Sequence, residues 1–210
     1  MKSCAIHARG VFAHRLIHIM SSLMIMAGCA ALGYVAYMAV SARYFQEAEA
    51  AKFAKPAKME DVSPTSKSVP KTGLAAEGEV IGMIEIDSVG VRAVVVQGDS
   101  TKVLRRAVGH VPGTPMPGEA GNVALAAHRD TIFRPLRNIK PGDVVDLRTQ
   151  GGVIQYRVRS TEIVPPSDVS VLQSHGRDEL TLITCYPFYY VGHAPNRFIV
   201  RAEESAPPPK

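Results

Sequence analysis

Residues 16–42 contain no Asp, Glu, Lys or Arg, and only His18 among these 27 residues can carry a charge. An α-helix needs about 20 predominantly apolar residues to cross the hydrocarbon core of a bilayer. Arg15 closes one end of the run, and Arg43 with Tyr44 closes the other, where interfacial anchors belong. A core helix of this length in a small soluble protein would keep a polar face, and this run has none. A cleavable signal peptide has an apolar core of about 7–15 residues, shorter than this one, although Val40-Ser41-Ala42 offers a weak processing site. Met26-Ala27-Gly28-Cys29 resembles a lipoprotein processing site, but the apolar run continues past Cys29, where a mature lipoprotein turns polar. The expectation is therefore a short basic segment over 1–15 and an uncleaved transmembrane signal anchor over 16–42.

Orientation does not follow from charge. Lys2, Arg9 and Arg15 precede the run, and Arg43, Lys52, Lys55 and Lys58 follow it, a near balance under the positive-inside rule. The shortness of the first segment favours a cytoplasmic N-terminus, with the rest of the chain on the extracytoplasmic side. Pro56, Pro64 and Pro70, interspersed with Ser, Lys and Thr, argue for a flexible stalk over 43–78, with residues 46–55 able to prolong the helix. Residues 79–203 hold the Gly, Val and aromatic punctuation of a folded domain, and 204–210, with three consecutive prolines, read as a disordered tail.

The net charge of +5 is placed informatively. Residues 79–203 carry 14 Lys or Arg against 13 Asp or Glu, so the excess lies in the anchor flanks and the stalk. A nucleic-acid binder carries its basic footprint on the folded domain, and that class is excluded on this distribution. Of three cysteines, Cys4 lies in the basic segment, Cys29 in the apolar run and Cys185 in the domain. The domain thus has no internal disulfide, no CxxC redox pair and no thiolate zinc site. No acidic cluster suggests calcium, so neither a metal nor a cofactor is expected.

The domain reads as all-β. Apolar or alternating runs over 80–86, 91–96, 122–127, 143–148, 153–164, 179–184 and 197–202 predict about seven short strands. Gln150-Gly151-Gly152 marks a hairpin between two of them. Residues 101–107 read as a helical turn and the Pro/Gly-rich 111–121 as a long loop. Short strands with Pro/Gly turns suit a small barrel or a sandwich.

Cys185 ends the strand Thr181-Leu182-Ile183-Thr184-Cys185, and Pro187 stops it. Such a cysteine is either a buried core residue or a nucleophile, and a nucleophile needs a base or a positive charge beside it. His128 follows the apolar run 123–127 and sits at another strand end; His110, His175 and His193 fall in predicted loops. Arg197 opens the last strand, where an arginine could lower a thiol's pKa or donate to a developing oxyanion.

These segments together resemble the sortase family. Thr181 to Cys185 is similar to the TLxTC signature of sortases. Ala126-Ala127-His128-Arg129-Asp130-Thr131, followed by Phe133-Arg134-Pro135-Leu136, is similar to the segment bearing their histidine. Asn196-Arg197-Phe198-Ile199-Val200 is similar to the strand bearing their arginine, and the wording around His128 and Arg197 is most similar to class D sortases. The resemblance implies an eight-stranded sortase β-barrel with short helices behind an N-terminal transmembrane helix. It implies Cys185 as nucleophile, His128 as general acid and base, Arg197 as oxyanion and substrate ligand, and Thr184 as a substrate-contacting neighbour. The implied partners are secreted proteins bearing an LPxT-type sorting signal, an amine acceptor (a peptidoglycan precursor or a pilin lysine) and the lipid bilayer. Two other readings stay open: a cysteine hydrolase sharing the same acyl-enzyme, and a non-enzymatic anchored β domain that binds envelope partners. Asp130, two residues past His128, is either a ring-orienting carboxylate or a turn residue.

Overall fold

A computed structural model describes residues 3–53, 75–189 and 192–205. The chain divides into two units, Met1–Tyr44 and Phe45–Lys210. Helix α1 spans Ser3–Phe53, 51 residues without a break. Within it, His18–Ala48 holds an 18-residue stretch with a mean hydropathy of 1.9, and α1 is the one helix among the described residues long and apolar enough to cross a membrane. Large apolar side chains such as Met24 and Leu32 are exposed along it. The helix outruns the expected boundary at residue 42. Residues 43–53 of the expected stalk are helical, in keeping with the helix formers Gln46, Glu47 and Ala48. Residues 54–74 of the expected stalk and 206–210 of the expected tail lie outside the described residues.

The second unit holds eight strands: β1 (Val80–Ile86), β2 (Val91–Gln97), β3 (Val108–His110), β4 (Asn122–Ala126), β5 (Val144–Thr149), β6 (Gly152–Val164), β7 (Glu179–Tyr186) and β8 (Asn196–Glu204). They close into a barrel in the order β1-β2-β3-β4-β7-β8-β6-β5. Pairing of β1 with β5, Ile84 opposite Leu147, makes the closure and decides for a barrel over a sandwich. The pairs β2–β3 and β4–β7 are parallel and the others antiparallel. The strand missed from sequence is β3, three residues that include a glycine. His110, expected in a loop, is its last residue.

Alternation sorts the side chains. Val123 and Leu125 of β4, Leu180 and Leu182 of β7, and Val200 and Ala202 of β8 fill the barrel interior with Ile84, Leu147 and Tyr156. Each fully buried aliphatic side chain contributes about 1.5–3 kcal/mol over its exposed state. Parts of the outer wall are covered too, which is why β2 reads as an almost continuous β-branched run. Val94 and Val96 face outward onto Val103 and Ala107, where α2 (Thr101–Leu104) crosses the wall. Val164, Val171 and Ile199 form a third cluster, on the outer face of β6 and β8.

Candidate active site

The site is set by the register of β4, β7 and β8. Ala126 pairs in parallel with Ile183, two residues before His128 and Cys185 respectively. The pairing continues past the formal end of β4. The Ala127 N–H donates to the Ile183 carbonyl at 3.2 Å, and the Thr184 hydroxyl donates to the Ala127 carbonyl at 2.8 Å. The residue before the histidine is thereby clamped to the two residues before the cysteine. On the other side, Cys185 is the direct antiparallel partner of Arg197. Neighbouring strands lie about 4.8 Å apart, and directly opposed Cβ atoms about 4.5–5.5 Å apart. His128, Cys185 and Arg197 thus occupy adjacent places across three neighbouring strands.

They also share a face. Leu180 and Leu182 point into the barrel and Thr184 follows them, so Thr181, Ile183 and Cys185 point out. Phe198 packs against the interior cluster, which puts Arg197 and Ile199 outside. Ala127 belongs to the interior cluster, which turns His128 outward. Sequence reasoning expected a constellation at a rim. The structure sets it on the outer wall at the end where β4 and β7 finish and β8 begins.

Thr184 is only 2% exposed, and its hydroxyl donates to the Ala127 carbonyl, which joins the two strands. Asp130 is exposed and, among the described residues, makes no hydrogen bond to the His128 ring. The turn is shaped by backbone instead, with the His128 carbonyl accepting from Phe133 at 3.2 Å and Thr131 at 3.4 Å.

Cys185 and Arg197 are half-buried. One Nη1 donor of Arg197 reaches the Asn196 carbonyl at 3.2 Å, leaving the rest of the fork without a partner among the described residues. Behind the site, Tyr186, Phe188 and Phe198 form an aromatic group with centroids 5.2 to 6.4 Å apart. The Tyr186–Pro187 peptide is cis and turns the chain away from β7. Sequence reasoning passed over Arg129, which is nearly buried and donates to the Gly192 carbonyl at 3.0 Å, tying the histidine segment to the β7–β8 connection. Its signal was available in its place beside His128. Arg137 makes a second tie, stacking on Tyr189 and donating to its hydroxyl.

The remaining histidines stand elsewhere. His110 is buried, with Nδ1 against Gln97 Oε1 and Nε2 against the Pro115 carbonyl, each at 2.8 Å. Burial lowers its pKa against the opposing pull of Pro115 and Glu119. His175 pairs with Glu179 at the far end of β7, and His193 is exposed between β7 and β8. Among the described residues, no three or more His, Cys, Asp or Glu side chains group so as to hold a metal ion.

The chain is 37% identical over 132 residues to sortase D of Bacillus subtilis (strain 168), covering 62% of this chain and 64% of that one. It is 33% identical over 111 residues to sortase A of Bacillus anthracis, covering 51% and 52%. The chain therefore spans about half to two thirds of the length of these curated relatives. Among solved structures, a sortase D5 transpeptidase of Clostridium perfringens superimposes with a TM-score of 0.58 at 30% identity, over 63% of this chain and 82% of that one. A sortase C of the same organism, solved with the C-terminal cell wall sorting motif, gives a TM-score of 0.58 at 32% identity, over 63% and 74%. The sortase domain model matches residues 84–205, more than half of the chain and the whole stretch that carries β4, β7 and β8, and on that match the chain belongs to the sortase family.

Proposed function

We propose that this protein is a membrane-anchored cysteine transpeptidase that cleaves an LPxT-type sorting signal after its threonine and transfers the protein to an amine. The observation that carries the proposal is the cross-strand register, with Cys185 opposite Arg197 and two residues beyond Ile183, the partner of Ala126. In this reading the Cys185 thiol passes its proton to His128 as its sulfur attacks the threonine carbonyl. The carbonyl oxygen takes the electron pair and is met by the Arg197 guanidinium, whose unengaged donors suit a developing oxyanion. His128 gives a proton to the leaving amine as the C–N bond breaks, and a thioester remains on Cys185. An incoming amine then loses its proton to His128 and attacks the thioester; the C–S bond breaks, the new amide forms, and His128 returns the proton to the sulfur to restore the thiol. Thr184 acts by holding the strand that carries His128 against the strand that carries Cys185.

A long apolar run with positive charge on both flanks supports α1 as an anchor; the proposed secreted, signal-bearing substrate requires the barrel on the extracytoplasmic side, with the N-terminus cytoplasmic. The acceptor amine belongs to a peptidoglycan precursor or a pilin lysine. The test is to incubate the detergent-solubilised chain with an LPxT peptide, with and without added amine. A ligated peptide that grows with amine concentration is expected. Hydrolysis alone at high amine would assign a hydrolase, and no cleavage at all would leave a binding domain.

A further inference from the structure

Asn122 opens β4 on its outer face and is completely buried. Its Nδ2 donates to the Val171 carbonyl at 3.0 Å and to the Gln173 carbonyl at 3.2 Å. Its Oδ1 accepts from the Thr181 hydroxyl at 2.8 Å. Two carbonyls on one side demand a donor and a hydroxyl on the other supplies one, so the amide's orientation is fixed by its partners. Asp at this place has no N–H to give, and Ala has neither half. The bonds join three pieces of chain: the start of β4, the middle of β7 and the connection from β6 to β7.

That connection, residues 165–178, borders the site. Its turn at Ser170–Leu172 lays Val171 and Leu172 in the outer cluster that includes Ile183 and Ile199. Ile183 and Ile199 are each two residues from Cys185 and Arg197, on the same faces. The connection is internally braced, since Asp168 accepts from the Ser170 N–H at 3.0 Å and the Ser170 hydroxyl at 2.6 Å. Packing of Val171 sets how closely it lies on the wall. Apolar contact is non-directional, however, and does not set where it lies along the strands. The two directional bonds from Asn122 do. Thr181 is four residues from Cys185, about 13 Å at strand rise, so Asn122 touches no reacting atom.

We infer that Asn122, held by Thr181, positions residues 165–178 as one wall of the groove that leads to Cys185, and so governs capture of the peptide more than the reactivity of the thiol. The inference rests on the transpeptidase reading above. Asn122 is on this account a positioning residue.

The test uses the detergent-solubilised full chain and a fluorogenic LPxT peptide, comparing wild type with Asn122→Ala, Asn122→Asp, Thr181→Val and Thr181→Ser. Both Asn122 variants are expected to raise KM about tenfold, the scale of two lost hydrogen bonds. Their kcat should stay within about threefold of wild type. Alkylation of Cys185 by iodoacetamide should keep its wild-type rate, which separates the wall from the thiol. Thr181→Val should raise KM by a smaller factor and Thr181→Ser, which keeps the hydroxyl, should restore it. Wild-type KM in both folded Asn122 variants would overturn the inference, as would kcat and alkylation rate falling together at constant KM. A wild-type chain that cleaves no peptide would overturn the transpeptidase reading itself, a result distinct from turnover that all four variants share.

Discussion

Removing the Thr184 hydroxyl tests whether the clamp between β4 and β7 holds the site together. In Thr184→Val a methyl replaces an O–H that donates to the Ala127 carbonyl at 2.8 Å. Both residues are buried, Thr184 to 2% exposure and Ala127 to 5%, so water does not replace the bond without opening the wall. Leaving a buried carbonyl without its donor costs about 1–3 kcal/mol. Side-chain volume is nearly kept, so no cavity cost adds to it. For a domain of this size the barrel's unfolding transition should fall by about 4–10 °C. Ala127 immediately precedes His128, and a displacement of about 1 Å at a reacting group costs on the order of a hundredfold. Peptide cleavage, followed as kcat/KM, should therefore drop by about 10- to 100-fold. Thr184→Ser keeps the hydroxyl and should stay within about 1 kcal/mol of wild type in stability, with most of its activity. The reasoning is refuted if Thr184→Val melts and turns over like wild type, or if Thr184→Ser is as impaired as the valine variant.

Other expectations follow from the same arrangement. Arg197→Gln should reduce kcat by about 10²–10³ with the fold intact, the usual loss for an oxyanion donor, and circular dichroism beside steady-state kinetics would show it. Glu85 sits under Arg92 and Arg148, with contacts of 2.5 and 2.8 Å. Burial raises its pKa, but the hydrogen bonds and charges of Arg148 and Arg92 prevail and hold it below the ordinary 4.5. A depressed carboxylate stabilises the fold above its unfolded pKa and loses that contribution as pH falls through the folded value. Glu85→Gln should lower stability at neutral pH and flatten the decline below about pH 4.5, read by denaturant unfolding across pH. For the anchor, a membrane-impermeant maleimide applied to intact cells should label Cys185 but reach Cys4 only after permeabilisation; the reverse pattern would invert the proposed topology.

The strands most legible in the sequence were those with a side-chain pattern or a turn to mark them. Residues 153–164 behind Gln150-Gly151-Gly152 became β6 (Gly152–Val164) with one residue added at its start. Val108–His110 escaped because three residues with a central glycine show no period, and their pairing with β2 and β4 comes from tertiary contact. Gly109 there meets the backbone carbonyl of Gly98 so closely that a side chain would collide, a constraint that only the fold reveals. The site divides similarly. Cys185 and Arg197 are cross-strand neighbours because the chain turns back after Pro187, which local sequence suggests. The segment that ends in His128 is brought beside the strand of Cys185 by a parallel pairing with β5 and β6 in between, and no local pattern specifies it. Thr184 stands beside Cys185 in sequence, and only the fold shows its hydroxyl meeting the Ala127 carbonyl. Strand alternation, which sends neighbours to opposite faces, turns it inward. Asn122 looked like the polar start of an apolar strand, and its partners lie some fifty residues on, in a connection without regular pattern.

The central claim is that the Cys185 sulfur carries the acyl group cut from a sorting signal. Intact-mass spectrometry of the detergent-solubilised chain, quenched in acid after mixing with an LPxT peptide, measures this directly. The account predicts an added mass equal to the peptide up to its threonine, located on Cys185, discharged by added amine and absent from Cys185→Ala. An adduct that persists in Cys185→Ala, or cleavage by the wild-type chain in which no thioester forms on Cys185 when the amine is withheld, would contradict it.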